Sequence, residues 1–106
     1  MSKVVEIPFS KVMVKAVLEG RKVCTSRSEV KGDLGDTFMI ADKEYRIVDI
    51  QRHRLISVTS ILFRQEGTNS PEEFEELWKS LHRGHYDGTK FVHTHFFAAV
   101  RKQSPN

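Results

Sequence analysis

Apolar residues recur at helical spacing in two places along the chain, and capping residues flank both. The first predicted helix covers residues 11–19, because Ser10 is a favourable N-cap and Gly20 stands where a C-cap belongs. The second begins after Ser70 and ends at Gly84, with proline in the first helical position and glutamates crowding the first turns. The helix dipole explains these glutamates, so they are not predicted to be catalytic.

Alternating and β-branched stretches predict the strands of one sheet. Strands are predicted over residues 4–9, 23–28, 37–41, 44–52 and 90–100. A tight turn at Asp42-Lys43 joins the third and fourth strands as a hairpin, in which Tyr45, Ile47 and Asp49 share one face. Residues 58–65 fit helical spacing with Ser57 as a cap, and a strand is the alternative there.

Length and element order predict the fold class. A length of 106 residues is typical of one domain, and no repeat or linker-like break divides the chain. We therefore expect a single domain over residues 1–106, with residues 102–106 as a disordered tail. Four or five short strands with two or three helices indicate an α+β fold, in which helices flank a small curled sheet or barrel.

The composition excludes several classes of protein. Apolar residues make up 39% and charged residues 29%, a balance typical of a globular domain. No apolar run approaches the roughly 18 residues of a membrane span, and the N-terminus lacks the apolar core of a signal peptide. The single cysteine, Cys24, excludes an internal disulfide and a multi-cysteine metal site, which favours the cytoplasm.

Positive charge is concentrated in the first 64 residues. The formal net charge is +3 and the isoelectric point is about 9.2. Two basic stretches, residues 11–31 and 46–64, favour a polyanionic partner such as RNA, and a solvated surface is the alternative. Arg46, Arg52, Arg54 and Arg64 of the second stretch are candidates to extend a ligand cleft electrostatically.

The segment Gly20-Arg21-Lys22-Val23-Cys24-Thr25-Ser26-Arg27 places cations and hydroxyls directly after the first predicted helix. This Gly-x-Lys-x-x-Thr-x-Arg octet is followed by Gly35-Asp36 before a strand, and by Glu66-Gly67 before a capped helix with Phe74 and Trp78. Together these residues resemble the ASCH domain family, over roughly residues 8–100. The resemblance implies a PUA-like β-barrel flanked by two or three helices, which binds RNA or a nucleoside-type ligand without an obligate cofactor.

The resemblance also implies an enzymatic alternative. Some small members of the family remove the acetyl group of N4-acetylcytidine with a lysine nucleophile, an assisting threonine and a glutamate acid–base. Carried over residue by residue, these roles fall to Lys22, Thr25 and Glu66, while Arg27 matches the motif arginine. The chain departs from the usual pattern in the two residues between Lys22 and Thr25, where threonine and an aliphatic residue are common in the family and Val-Cys stands here.

That chemistry sets two conditions on the residues themselves. An amine nucleophile must be neutral, and a second cation such as Arg21 or Arg27 in a partly desolvated site would promote loss of its proton. On a regular strand Lys22 and Thr25 would point to opposite faces, so they converge only if Lys22 lies in the turn after Gly20. Otherwise the octet provides phosphate or carboxylate contacts that position a bound nucleotide.

Four histidines form a second constellation. His82 and His85 stand at a helix end, and His93 and His95 lie on one face of a strand. Divalent metal binding is one interpretation, but Asp87 is the only close carboxylate and no cysteine lies nearby, so no metal site is predicted. His93 and His95 are instead the acid–base candidates for a third function, a ribonuclease.

Tyr86 lies in a polar loop and is the aromatic residue most expected to be exposed, so it is the candidate for stacking on a base. The sequence thus predicts a monomeric domain with a basic cleft for RNA or a nucleoside. The expected ligand contacts are Gly20, Arg21, Lys22, Thr25, Arg27, Arg52, Arg54 and Tyr86. Hydrolysis of N4-acetylcytidine by Lys22, Thr25 and Glu66 is the alternative.

Overall fold

The computed structural model describes residues 2–101. Its elements are α1 (Lys11–Leu18), β1 (Cys24–Arg27), β2 (Thr37–Ile40), β3 (Lys43–Arg54), α2 (Leu55–Ile61), α3 (Pro71–Leu81) and β4 (Phe91–Ala99). The strands form one antiparallel sheet in the order β1-β4-β3-β2, which curls into a half-barrel. The α+β class and the curled sheet with three helices are therefore confirmed. The tail predicted at residues 102–106 lies outside the described residues.

Both helices with strong capping signals form where they were predicted. The Ser10 hydroxyl accepts the Met13 N–H at 3.3 Å, and the Ser70 hydroxyl accepts the Glu73 N–H at 3.0 Å. Each bond satisfies one of the backbone donors that a helix start leaves unpaired. The helix predicted after Ser70 is α3, and it ends at Leu81 rather than at Gly84.

Two other predicted elements are wrong in detail. Residues 4–9 form no regular strand: Val4 makes an isolated bridge to Thr37, and Pro8 has no N–H to offer to a strand ladder. The helix predicted after Ser57 instead begins at Leu55, whose side chain is fully buried. The buried Leu55 marks the start of α2, where the capping position holds an arginine without a side-chain cap bond.

The β2–β3 hairpin is confirmed with two shifts. Its turn falls one residue early, with Ala41 in the left-handed region at φ +55°. A bulge between Ile47 and Asp49 then changes the alternation along β3. Asp49 is consequently exposed and Ile50 packs against the core, the reverse of the predicted faces.

Two apolar clusters cover the two faces of the sheet. One fills the curl of the half-barrel and consists of Ile7, Val17, Phe38, Ile40, Tyr45, Ile47 and Phe97. The other joins α2 and α3 to β4 and consists of Leu55, Val58, Phe74, Trp78 and Val92. Because β1 is an edge strand, its outer edge is left between α1 and α3, where a cleft opens. None of the helices within residues 2–101 is long and apolar enough to cross a bilayer.

Candidate functional site

The turn after α1 places Lys22 at the head of the cleft. Gly20 adopts φ +78°, and the backbone N–H groups of Arg21 and Lys22 both donate to the Ala16 carbonyl, at 3.0 and 3.1 Å. Regular strand structure starts only at Cys24. Lys22 therefore lies before the strand, which meets the condition for its side chain to reach the same cleft as Thr25.

Lys22 forms a buried ion pair with Glu66. The lysine Nζ donates to Glu66 Oε1 at 2.8 Å and to the Glu66 carbonyl at 3.1 Å, and both side chains are only 4% exposed. Gly67 makes this approach possible, since a Cβ there would lie 3.1 Å from the Cβ of Lys22 and the residue has φ +94°. The two residues are 44 positions apart in sequence, and an isolated β-bridge joins them.

Two buried hydroxyls continue the network from the other carboxylate oxygen. Ser26 Oγ donates to Glu66 Oε2 at 2.6 Å and lies 2.7 Å from Thr94 Oγ1. Ser26 and Thr94 are cross-strand partners, so the register of β1 against β4 sets their distance. Glu66 thus has a hydrogen-bond donor on each of its two oxygens.

Arg27 connects β1 to the segment before α1 on the opposite side of the cleft. Its Nε donates to Thr25 Oγ1 at 2.9 Å, its Nη2 donates to the Pro8 carbonyl at 2.7 Å, and its guanidinium lies 4.9 Å from the centre of the Phe9 ring. Burial lowers the pKa of Arg27 below its ordinary value, although the Glu66 carboxylate opposes that shift. Since Thr25 accepts this bond, its own hydroxyl hydrogen remains available to the cleft.

These groups line a cleft of about 380 Å³. Its apolar wall comes from α1, α3 and the segment before α1, and consists of Pro8, Phe9, Met13, Phe74, Leu77, Trp78 and Leu81. Its polar lining consists of Ser10, Lys22, Thr25, Ser26, Arg27, Ser28, Glu29, Lys31, Glu66 and His82. The His82 ring stacks on Trp78 with centroids 4.0 Å apart, and its Nδ1 donates to the Trp78 carbonyl at 2.8 Å. Aromatic side chains and a buried set of donors with a carboxylate therefore line the same cleft.

Other residues predicted as ligand contacts do not line this cleft. Gly20 shapes the turn, and Arg21 pairs with Glu19 at 2.7 Å while also donating to the Gly67 carbonyl. The guanidiniums of Arg52 and Arg54 both lie over the Phe91 ring, 3.8 and 4.3 Å from its centre. These arginines form a separate basic surface on β3 and β4.

Tyr86 also lies elsewhere. Its ring packs against the cluster of α2 and α3, and its hydroxyl is 2.7 Å from Thr59 Oγ1. The aromatic residues that line the cleft are Phe9, Phe74 and Trp78, of which the last two belong to the capped helix of the family resemblance.

The histidines separate into different environments. His95 is fully buried: its Nδ1 donates to the Thr25 carbonyl at 3.2 Å, and its Nε2 accepts the Lys31 N–H at 2.9 Å. These bonds fix a neutral tautomer, and burial lowers the pKa of His95. His95 therefore connects β1 to the loop that follows it, and both ring nitrogens are engaged in these hydrogen bonds. Across residues 2–101 there is no group of three or more His, Cys, Asp or Glu side chains arranged to hold a metal ion.

Ser26 is the site residue that sequence reasoning missed. A serine inside a polar strand gives no local signal, and its role depends on Glu66 and Thr94, which are distant in sequence. Cys24, the next strand residue on the same face, is buried close to the same carboxylate. Burial, and then the Glu66 charge, raise the pKa of the Cys24 thiol, so this thiol stays protonated.

Comparison with solved structures identifies the architecture. An ASCH domain from Lactobacillus crispatus superposes with a TM-score of 0.68 at 12% sequence identity, covering 92% of this chain and 79% of that one. The chain has the fold of an ASCH domain. A second solved structure, a DUF984 protein from Enterococcus faecalis, superposes with a TM-score of 0.64 at 16% identity, covering 93% of this chain and 79% of that one. No protein-family model and no curated protein matches the chain.

Proposed function

We propose that the ASCH-like cleft binds a single nucleoside-type ligand, a flat base with a polar edge. The observation that carries this proposal is the pairing of an aromatic wall with a buried polar end in one cavity. A volume of about 380 Å³ falls within the range of roughly 300–1,000 Å³ that is usual for small-molecule sites. Stacking suits any base, whereas donors from Lys22, Thr25 and Arg27 beside the Glu66 acceptor favour a base with a mixed polar edge.

Intrinsic fluorescence tests this binding directly. Trp78 is the only tryptophan of the chain and lines the cleft, so titration with cytidine should change its emission. Arg27→Ala removes the bond to Thr25 and should weaken binding, whereas Arg46→Ala changes an exposed arginine that does not line the cleft and should not. Unchanged emission, together with no heat of binding at millimolar cytidine, would contradict the proposal.

Binding of an RNA chain is the wider form of the same proposal. The exposed surface of Arg52 and Arg54 supports it, but these arginines lie outside the cleft lining. Salt dependence separates the two forms: contacts with phosphates weaken steeply as salt is raised, and a pocket for an uncharged nucleoside is nearly indifferent. A steep slope that Arg52→Ala and Arg54→Ala reduce would favour RNA.

A second candidate function is hydrolysis of an N4-acylated cytidine in this cleft. The specific observation in its favour is the contact of 2.8 Å between the Lys22 amine and the Glu66 carboxylate, with Thr25 lining the same cavity. Glu66 would take a proton from Lys22, and the neutral amine would attack the acyl carbon. The bond to cytidine N4 would break as Glu66 returns the proton to that nitrogen, and the acylated Lys22 nitrogen would pass its own extra proton to Glu66. Water would then attack the acyl carbon, and the bond to Lys22 would break as Glu66 gives this proton back to the amine, with release of acetate and one proton. The free Thr25 hydroxyl would stabilise the charge developing on the acyl oxygen.

The test of hydrolysis is the release of cytidine and acetate from N4-acetylcytidine. Wild-type protein should turn the substrate over, and Lys22→Met and Glu66→Gln should abolish release. Lys31→Met is the matched control, because Lys31 also lines the cleft while its amine lies 3.9 Å from Glu29 rather than in the buried pair. No release by folded wild-type protein would exclude hydrolysis of this substrate, and the fluorescence titration would still decide binding.

A further inference from the structure

The carboxylate of Glu66 is held from both sides, and on one side the donor is a hydroxyl to which the family resemblance assigns no role. Lys22 Nζ lies 2.8 Å from Oε1, and Ser26 Oγ lies 2.6 Å from Oε2. Ser26 Oγ is in turn 2.7 Å from Thr94 Oγ1. All four residues are buried, so water does not compete freely for these bonds.

The direction of the hydrogen bonds follows from counting protons. A carboxylate paired with a lysine accepts only, so the single hydroxyl hydrogen of Ser26 points to Glu66. The 2.7 Å contact between the hydroxyls then requires Thr94 to donate to Ser26. Donation therefore runs in one direction, from Thr94 through Ser26 to Glu66. The cross-strand register of β1 and β4 holds the two hydroxyls in place.

We propose that Ser26, supported by Thr94, is a positioning residue that holds the Glu66 carboxylate with its Oε1 turned toward Lys22. A hydrogen bond to one carboxylate oxygen limits rotation of the other. Loss of the Ser26 hydroxyl would therefore loosen the contact through which Glu66 takes the Lys22 proton. The catalytic consequence rests on the proposed hydrolysis, whereas the effect on the orientation of the carboxylate does not.

Other groups also lie close to this carboxylate. Lys22 precedes β1 and pairs with Glu66, and Cys24 lies on β1. The Cys24 thiol remains protonated because burial raises its pKa. Lys22 holds Oε1 whether or not Ser26 is present, so removal of Ser26 should release the carboxylate on its Oε2 side.

Two serines provide a matched test. Ser26→Ala removes the donor to Glu66, whereas Ser60→Ala changes an exposed serine of α2 that does not line the cleft. The 13C signal of the Glu66 carboxyl, assigned with Glu66→Gln, is compared at one neutral pH in each variant. In Ser26→Ala we expect this signal to move from its wild-type position, because one hydrogen bond to the carboxylate is lost. The kcat for N4-acetylcytidine should fall with little change in KM, and the Ser60→Ala variant should match wild type in both measurements.

Two further variants separate positioning from folding. Ser26→Thr keeps the hydroxyl and should restore the wild-type carboxyl signal, while Thr94→Val removes the supporting donor and should displace the signal less than Ser26→Ala does. A Ser26→Ala signal equal to that of wild type would overturn the proposal. If wild-type protein shows no turnover, the proposed hydrolysis fails and the carboxyl signal alone decides whether Ser26 holds Glu66.

Discussion

Removing the Lys22 ammonium gives the sharpest test of the buried pair. The Lys22→Met side chain retains the length of lysine, but Glu66 is left with the hydrogen bond from Ser26, the Cys24 thiol and the more distant charge of Arg27. Breaking one side of a buried pair costs about 3–5 kcal/mol, and these remaining contacts favour the lower end. We therefore expect the free energy of unfolding to fall by about 3 kcal/mol. In a domain of this size that corresponds to a lowering of the Tm by roughly 12–24 °C.

Two comparisons isolate the electrostatic cause of that loss. The double variant Lys22→Met/Glu66→Gln leaves no unpaired charge, so it should recover about 2 kcal/mol of the lost stability. Lys79→Met breaks a pair of 3.0 Å with Glu75 on the surface of α3, where both side chains are more than one third exposed. Solvent screens that pair, so this variant should unfold almost as wild type does.

Urea denaturation followed by Trp78 fluorescence provides the assay. The denaturation midpoint of Lys22→Met should drop while the slope stays constant, because the surface exposed on unfolding is unchanged. Equal midpoints for Lys22→Met and Lys79→Met would refute the argument. Failure of Glu66→Gln to restore stability in the double variant would show instead that lost packing of the lysine stem, rather than an unpaired charge, destabilises the fold.

Three further predictions concern other parts of the fold. Because burial lowers the pKa of His95, the unfolded chain binds a proton that the folded chain does not. Stability should therefore fall as pH decreases below about 6.5, the unfolded value, and urea titrations of His95→Gln should show a weaker dependence. Cys24 is fully buried with a raised thiol pKa, so a thiol reagent should label it only at the rate of unfolding, and rapid labelling of native protein would be inconsistent with this. Ser70→Ala removes the N-cap bond of α3 and should cost about 1 kcal/mol in urea denaturation, whereas an unchanged midpoint would mean that the cap is dispensable.

Elements with local signals could be predicted closely from sequence. Ser10 and Ser70 cap α1 and α3 as expected, because capping depends on hydrogen bonds to residues only three positions away. The β2–β3 hairpin likewise follows from a short turn between two apolar runs. In each case the information that sets the element lies within a few residues.

Elements that depend on distant packing were placed less well. The segment over residues 4–9 has the composition of a strand, but Ile7 enters the core while Val4 alone makes a bridge. The bulge after Ile47 turns Ile50 toward the core, and no residue type in β3 signals it in advance. Such features reflect the way three-dimensional packing overrides local propensity.

The candidate site divides in the same way. The residue types of the octet were enough to predict Lys22 and Arg27 as site residues. Glu66 was predicted from its place in the order of motifs along the chain. Ser26 could not be found, because its function depends on strand register and on a carboxylate 40 positions away. The basic residues Arg52 and Arg54 satisfied a charge pattern, but that pattern contains no information about distance from the cleft.

Gly67 explains why a short motif and a distant residue meet at all. Its left-handed backbone follows directly on Glu66, and the absence of a Cβ lets this segment lie against the Cβ atoms of both Lys22 and Ala16. The Ala16 carbonyl also accepts the Arg21 and Lys22 N–H groups. The end of α1, the lysine and the glutamate are therefore fixed to one another by backbone geometry, independently of the ion pair. Because backbone contacts of the folded chain already hold both residues in place, the pair can be close and buried without having to order the chain itself.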